Sequence, residues 1–208
     1  MEKRTSELIE RCRAAVAAHP QHDLRLGLRQ GVWVVLGPRQ QSAESTVGRT
    51  RRIELACAAA KKVLPIWTKA VPDDRMPEAV LRAADRLRGR PIVLREAWEE
   101  RDLYWQHFVD KSYADEGLQI VCAAGFSAVQ ALTVVLEDEK FEPQFVNDAL
   151  TDQNIDADDL DAAFFAAAAL ADGPTWVPES SARRRQEFWM WWLESAAHLI
   201  ETKTHTDS

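Results

Sequence analysis

A chain of 208 residues with 46% apolar and 28% charged side chains has the composition of a globular protein with one substantial core, and excludes a disordered chain. No run approaches the roughly 18 consecutive apolar residues of a membrane span, and Met1 to Glu10 holds no apolar stretch of signal-peptide length, so the expected location is the cytoplasm. The formal charge of -7 is unevenly spread: Arg49 to Arg90 holds eleven Lys or Arg against five Asp or Glu, while Glu137 to Asp161 holds ten acids against one base, Lys140.

Apolar spacing of three and four residues predicts helices along most of the chain. The first covers Thr5 to Ala18, and His19-Pro20 ends it, because the residue before a proline is pushed out of the helical region. In DLRLGLRQGVWVVLG, Leu24, Leu26 and Leu28 alternate with polar or small residues, and the apolar run Val32 to Leu36 follows a glycine. This pattern suits a short β-hairpin over 23–36 turning at Arg29-Gln30-Gly31, with a buried helix as the competing reading; 23–50 then forms an irregular or hairpin insertion. Pro38 to Gly48 is polar and reads as a loop.

Arg51 to Val71 places Ile53, Ala56 or Cys57, Ala60, Leu64, Trp67 and Val71 on one helical face. Pro65 removes an internal backbone hydrogen bond, so this helix is expected to kink or to finish near Leu64. Pro72 stops it, Asp73 or Asp74 is placed to cap the next helix, and Pro77 falls in that helix's first turn. The second helix buries Met76, Val80, Ala83, Ala84 and Leu87, turns Glu78, Arg82 and Arg86 to solvent, and ends at Gly89. From Leu94 to about Ser112, Trp98, Trp105 and Phe108 are available for burial, with Glu99, Glu100, Arg101 and Asp102 facing water. Asp115 to Glu137 lacks a wide polar face and is expected at the centre of the bundle. Two further helices are expected over Asp156 to Leu170 and from Ser181 to about Thr202. The fold class is all-α: one helical domain over 1–208, a bundle of about seven helices built from helical hairpins, with a disordered tail at 203–208.

Chemical motifs are scarce. Cys12, Cys57 and Cys122 are widely spaced in helix-like contexts and read as buried free thiols. The histidines form no HExxH or HxE pair, no glycine-rich phosphate loop occurs, and neither a metal nor a cofactor is expected. DQNIDADDLDAA supplies oxygens at alternate positions of a calcium loop, but has Ala157 where glycine is required and Ala163 where a bidentate glutamate belongs. A helix cap by Asp156 or Asp158 explains the same residues. In EFWMWWLE, Trp189, Trp191 and Trp192 cannot share one helical face, so at least one is expected to reach a second surface or solvent; core packing and an interface anchor, for which Trp191 is the candidate, are the two readings of the stretch.

The stretch CAAAKKVLPIWTKAVPDDRMPEAVLRAADRLRG, Cys57 to Gly89, resembles the Imm-5-like immunity proteins of bacterial polymorphic toxin systems. Their pattern is an Ala/Cys helix, Val-Leu-Pro, a spacer, Pro-Asp-Asp, an Arg-Pro pair and an Ala-rich helix. Here Val63-Leu64-Pro65 and Pro72-Asp73-Asp74 stand in place, and Met76 separates Arg75 from Pro77. These motif residues supply kink, turn and cap. The resemblance implies a helical protein that binds a cognate protein toxin and blocks it by occlusion, without catalysis. An acidic contact surface for a basic toxin is expected at Glu142, Asp148, Asp152, Asp156, Asp158 and Asp159, with Trp191 beside it. Two other readings stand next to this one. An all-α enzyme would assemble a site from scattered residues such as His107, Asp110, Tyr113 and Glu116. A regulatory or nucleic-acid-binding domain would use Arg49 to Arg90, against which the interleaved Glu54, Asp73, Asp74, Glu78 and Asp85 argue. No membrane partner is expected.

Overall fold

In the computed structural model, which describes residues 2–39, 46–88 and 93–202, the chain folds into eight α-helices. These are α1 (Glu2–Ala18), α2 (Leu26–Val35), α3 (Val47–Ala70), α4 (Met76–Leu87), α5 (Leu94–Ala114), α6 (Gln119–Glu137), α7 (Ala162–Leu170) and α8 (Ala182–Glu201). The expected cap at Gly89, part of the polar loop after Pro38, and the tail at 203–208 lie outside the described residues. No strand occurs among the described residues, so the fold is all-α.

Helix α6 is the axis of the assembly, as its composition predicts: it packs against α3, α4, α5 and α7. By length and hydropathy it is apolar enough to cross a membrane, and most of it is buried within the protein. Its Gly125 lets the Phe108 ring of α5 approach so closely that an added Cβ would lie 2.3 Å from it. Phe108 also meets Trp67 of α3 edge to face at 5.1 Å, which joins α3, α5 and α6 through two rings that are fully buried. On the opposite side α1 and α8 pack together, and α7 bridges α8 to α6. Buried side chains from all eight helices form one apolar cluster. Cys12, Cys57 and Cys122 are free and buried within it; burial pushes their thiols up to about 12, 11 and 11, which makes them poor nucleophiles.

Three expectations are corrected, and for α3 one of two alternatives falls away. The hairpin over 23–36 is instead helix α2. Leu24, Leu28, Val32 and Leu36 recur every four residues, and all are buried; Leu26, Arg29 and Trp33 are buried as well. Because Leu26, Arg29 and Trp33 are buried beside that four-residue row, the helix lacks a polar face to mark its period, and the alternation of Leu24, Leu26 and Leu28 mimics a strand. Helix α3 does not finish near Leu64 but continues through Pro65 to Ala70. Both Pro65 and Lys61, whose carbonyl loses its donor, are exposed, so water can satisfy the freed oxygen. Helix α7 begins at Ala162 rather than near Asp156; its cap is Asp161, whose Oδ1 accepts from the backbone N–H groups of Ala163 and Phe164 at 2.9 Å each. Ala157–Asp159 forms only a 3-10 turn before it. Finally, Arg101 does not face water: it is buried over the rings of Trp98 and Trp105 and donates to Thr133 Oγ1 at 3.1 Å.

Candidate functional site

The segment joining α6 to α7 carries most of the acidic run, and its carboxylates fall into two sets. Asp138, Asp152 and Asp161 point inward and are buried. The fully buried Arg29 of α2 donates from Nε to Asp161 Oδ2 at 2.8 Å, from Nη1 to Asp152 Oδ2 at 3.2 Å and from Nη2 to Asp152 Oδ1. Arg52 of α3 holds Asp138 through two parallel bonds, Nε to Oδ1 at 2.7 Å and Nη2 to Oδ2 at 2.8 Å, and also donates from Nη1 to the carbonyls of Trp33 and Gly37 at 2.9 Å each. Burial pulls the Arg29 guanidinium pKa down, but the adjoining Asp152 and Asp161 carboxylates more than reverse this and raise it. Asp138 adopts a positive φ of 71°, a region that side chains other than glycine rarely enter, and the Arg52 fork holds it there.

The second set faces outward. Glu137, Glu142, Asp148, Asp156, Asp158 and Asp159 are exposed. Lys140 Nζ lies 3.4 Å from Asp159, and Arg11 of α1 lies 3.3 Å from Asp148; both pairs are open to solvent and are worth little. Of the six acids expected on a contact surface, five are therefore surface groups, whereas Asp152 is a core counter-ion. Trp191 lies elsewhere: it is half-buried, its ring tilted against Phe188 at 5.6 Å, with Lys62 Nζ 4.3 Å from its centroid. Trp189 and Trp192 are fully buried, so Trp191 is the one of the three that reaches the surface.

Between α2, α6 and the start of α7 lies a cavity of about 220 Å³. Its walls include Gln30, Trp33, Thr133, Asp138, Glu139 and Asp161, and exposed Asp158, Asp159 and Lys140 stand at its open side. Glu139 is half-buried at the cavity wall: desolvation, reinforced by Asp161 and Asp138, raises its pKa well above the ordinary glutamate value, with Arg52 and Arg29 partly opposing. No motif or spacing in the chain singles out Glu139, Arg29 or Arg52. Their significance comes from partners far along the chain, 86 residues for Arg52–Asp138 and 132 for Arg29–Asp161.

The motif residues are architectural. Val63 is fully buried in α3, Leu64 packs partly buried against the core, and Pro65 and Pro72 are exposed. Asp74 ties three elements together: Oδ1 accepts from the Met76 N–H at 2.9 Å, Oδ2 faces His107 Nε2 at 2.9 Å and Lys111 Nζ at 3.0 Å, and its carbonyl accepts from Trp67 Nε1 at 2.8 Å. Partial burial works against the charged form, but the bonds from Lys111, Met76 and His107 prevail and lower its pKa. Asp73 is exposed, Arg75 pairs with Glu78 at 3.0 Å, and Pro77 is buried in the first turn of α4.

The residues of the enzyme reading do not converge. His107 is engaged by Asp74, Asp110 accepts from Gln106 at 2.6 Å, and Tyr113 is 84% exposed. No group of three or more potential metal ligands occurs among the described residues. The basic segment is likewise dispersed: Arg51 and Arg52 are buried, Arg88 pairs with Glu54 and Arg86 with Glu100. A continuous phosphate-binding ridge is not built from it.

No curated protein matches the chain. A family model described as immunity protein Imm5 matches residues 9–199, which takes in α2 to α7 and most of α1 and α8 and reaches well beyond the Cys57 to Gly89 stretch that carries the resemblance in sequence. The chain belongs to the Imm5 family of immunity proteins.

Proposed function

We propose that this chain neutralises a cognate protein toxin in the cytoplasm of the cell that makes it, by binding and covering the toxin without catalysis. The observation that supports this reading is the sorting of the acidic run. The inward carboxylates are matched by Arg29 and Arg52, so the field outside comes from Glu137, Glu142, Asp156, Asp158 and Asp159, with Lys140 the one base in that stretch. A surface of one sign speeds association with a partner of the other sign, and a toxin with a basic substrate channel is such a partner. Membership of an immunity family supplies the partner class.

The direct test is survival. The upstream reading frame is expressed in bacteria with and without this chain, and the two proteins are then purified together. Rescue accompanied by a complex supports the proposal; rescue without a complex, or a harmless neighbour, refutes binding as the mechanism. Reversing Asp156, Asp158 and Asp159 to lysine is expected to lower the association rate at least tenfold and to flatten its dependence on salt, with the melting temperature nearly unchanged. Unchanged association in the folded triple variant would move the contact surface elsewhere.

A further inference from the structure

We propose that the cavity between α2, α6 and the start of α7 is a socket for one basic side chain, lysine or arginine, of the protein partner, with the Glu139 carboxylate as its counter-ion. This rests on the toxin-binding reading and assigns that surface its anchor point.

The argument starts from which carboxylates are already committed. Both oxygens of Asp138 are taken by Arg52, at 2.7 and 2.8 Å. Asp161 gives one oxygen to Arg29 and the other to the first N–H groups of α7. Glu139, which sits between them, has only its backbone N–H engaged, by Asp138 Oδ1 at 2.8 Å. Among the described residues no donor bonds its carboxyl group, which is half-buried and lines the cavity. A half-buried carboxyl group with no internal donor is free to accept one from outside the chain.

The rest of the cavity selects the class of donor. Every charged group lining it is a carboxylate except Lys140, which stands at the open side, so an anion is repelled. A multivalent metal would need several free oxygens, and those of Asp138 and Asp161 are occupied. Leu26, Trp33, Val134, Ile155 and Leu160 supply apolar wall, which suits the methylene stem of a long basic side chain. A volume of about 220 Å³ holds several waters at roughly 30 Å³ each, enough for an ammonium or guanidinium head and part of its stem. The mouth, flanked by Asp158 and Asp159, opens on the acidic surface already described, so a partner drawn to that surface arrives with basic side chains facing the socket.

The test uses the full chain and ethylguanidinium as a probe, followed by NMR of the Glu139 carboxyl carbon and the Gln30 and Gln130 side-chain amides. The expected result is saturable, millimolar binding at pH 8 that shifts all three signals and lowers the pH midpoint of Glu139; equal ionic strength of sodium chloride leaves them in place. Glu139→Gln should abolish the effect and weaken the toxin complex ten- to a hundredfold, chiefly through faster dissociation, while Glu139→Asp retains part of both. No perturbation of the wild-type protein by the probe would overturn the socket. A folded Glu139→Gln protein that binds the toxin as tightly as wild type would overturn its role as anchor. Failure of the wild-type chain to bind any toxin would instead overturn the reading on which the partner assignment rests, and the probe result would stand apart from it.

Discussion

The two flanks of α6 are held by different physics. Toward α4 and α5 the contacts are mainly apolar and aromatic: Val80, Ala84 and Phe108 are fully or almost fully buried, and the polar ties are the Asp74 clasp at the partly exposed turn and the single bond from Arg101 to Thr133. Toward α2, α3 and the segment before α7, the apolar packing is threaded by two buried arginine–carboxylate clusters, and a cavity remains beside them. A flank filled with hydrocarbon tolerates rearrangement and offers little recognition. One built around buried charge is intolerant of loss and fixes the position of the acids displayed above it.

The largest effect should come from removing a buried cation. Arg29→Met leaves Asp152 and Asp161 enclosed without their partner, and should cost about 3–5 kcal/mol in urea unfolding. Arg52→Met should fall in the same range. A loss under about 1 kcal/mol in both would erase the contrast between the flanks. Two glycines sharpen it further. A Cβ on Gly27 would lie 1.8 Å from the backbone carbonyl oxygen of Asn147, whereas one on Gly125 would lie 2.3 Å from the Phe108 ring. Overpacking costs about 1–3 kcal/mol, and Gly27→Ala should sit at the top of that range or above it because a backbone cannot rotate aside. Gly125→Ala should be milder and should be partly rescued by Phe108→Leu, as read from thermal melts of the single and double variants.

On the apolar flank, Asp74→Ala removes the bond to the Met76 N–H at the start of α4, the Lys111 ion pair and the His107 contact, and should cost about 1–2 kcal/mol at pH 7. The folded pKa of Asp74 is lowered, so its contribution is present above the ordinary aspartate value near ~3.9 and is lost as pH falls through the folded value. Melting temperatures of wild type and variant should therefore converge in strong acid. Glu139 has the opposite sign. Its folded pKa is raised, so its favourable contribution is complete below the ordinary glutamate value and disappears as pH rises through the folded one. Glu139→Gln should match wild type near pH 4 and melt a few degrees higher at pH 8, the smallest of these effects. A variant that melts lower at pH 8 would show that the carboxylate has an internal partner.

Legibility followed the same division. The hairpin from Cys57 to Leu87, the central place of α6 and the last helix were readable because their apolar residues recur at helical spacing and their ends carry proline and aspartate. Helix α2 was misread because a helix buried on most sides no longer shows an amphipathic period. The start of α7 was misplaced because the stretch from Asp152 to Asp161 offers several aspartates, and the one that caps, Asp161, is chosen by the fold together with its bond to Arg29. The acidic run was visible as a run; its sorting into inward and outward groups was not. Sequence charge counts record how many carboxylates a segment has, and only the long-range arginines decide which of them remain available.

Arg29 also sets a schedule. Its counter-ions Asp152 and Asp161 follow it by 123 and 132 residues, so during synthesis α2 leaves the ribosome long before the groups that neutralise it exist. At about 5–20 residues per second that wait lasts roughly 7 to 26 seconds. Through that interval the N-terminal helices are without their buried counter-ions, and the outward acids, made on the same late segment, come into position only when that segment docks.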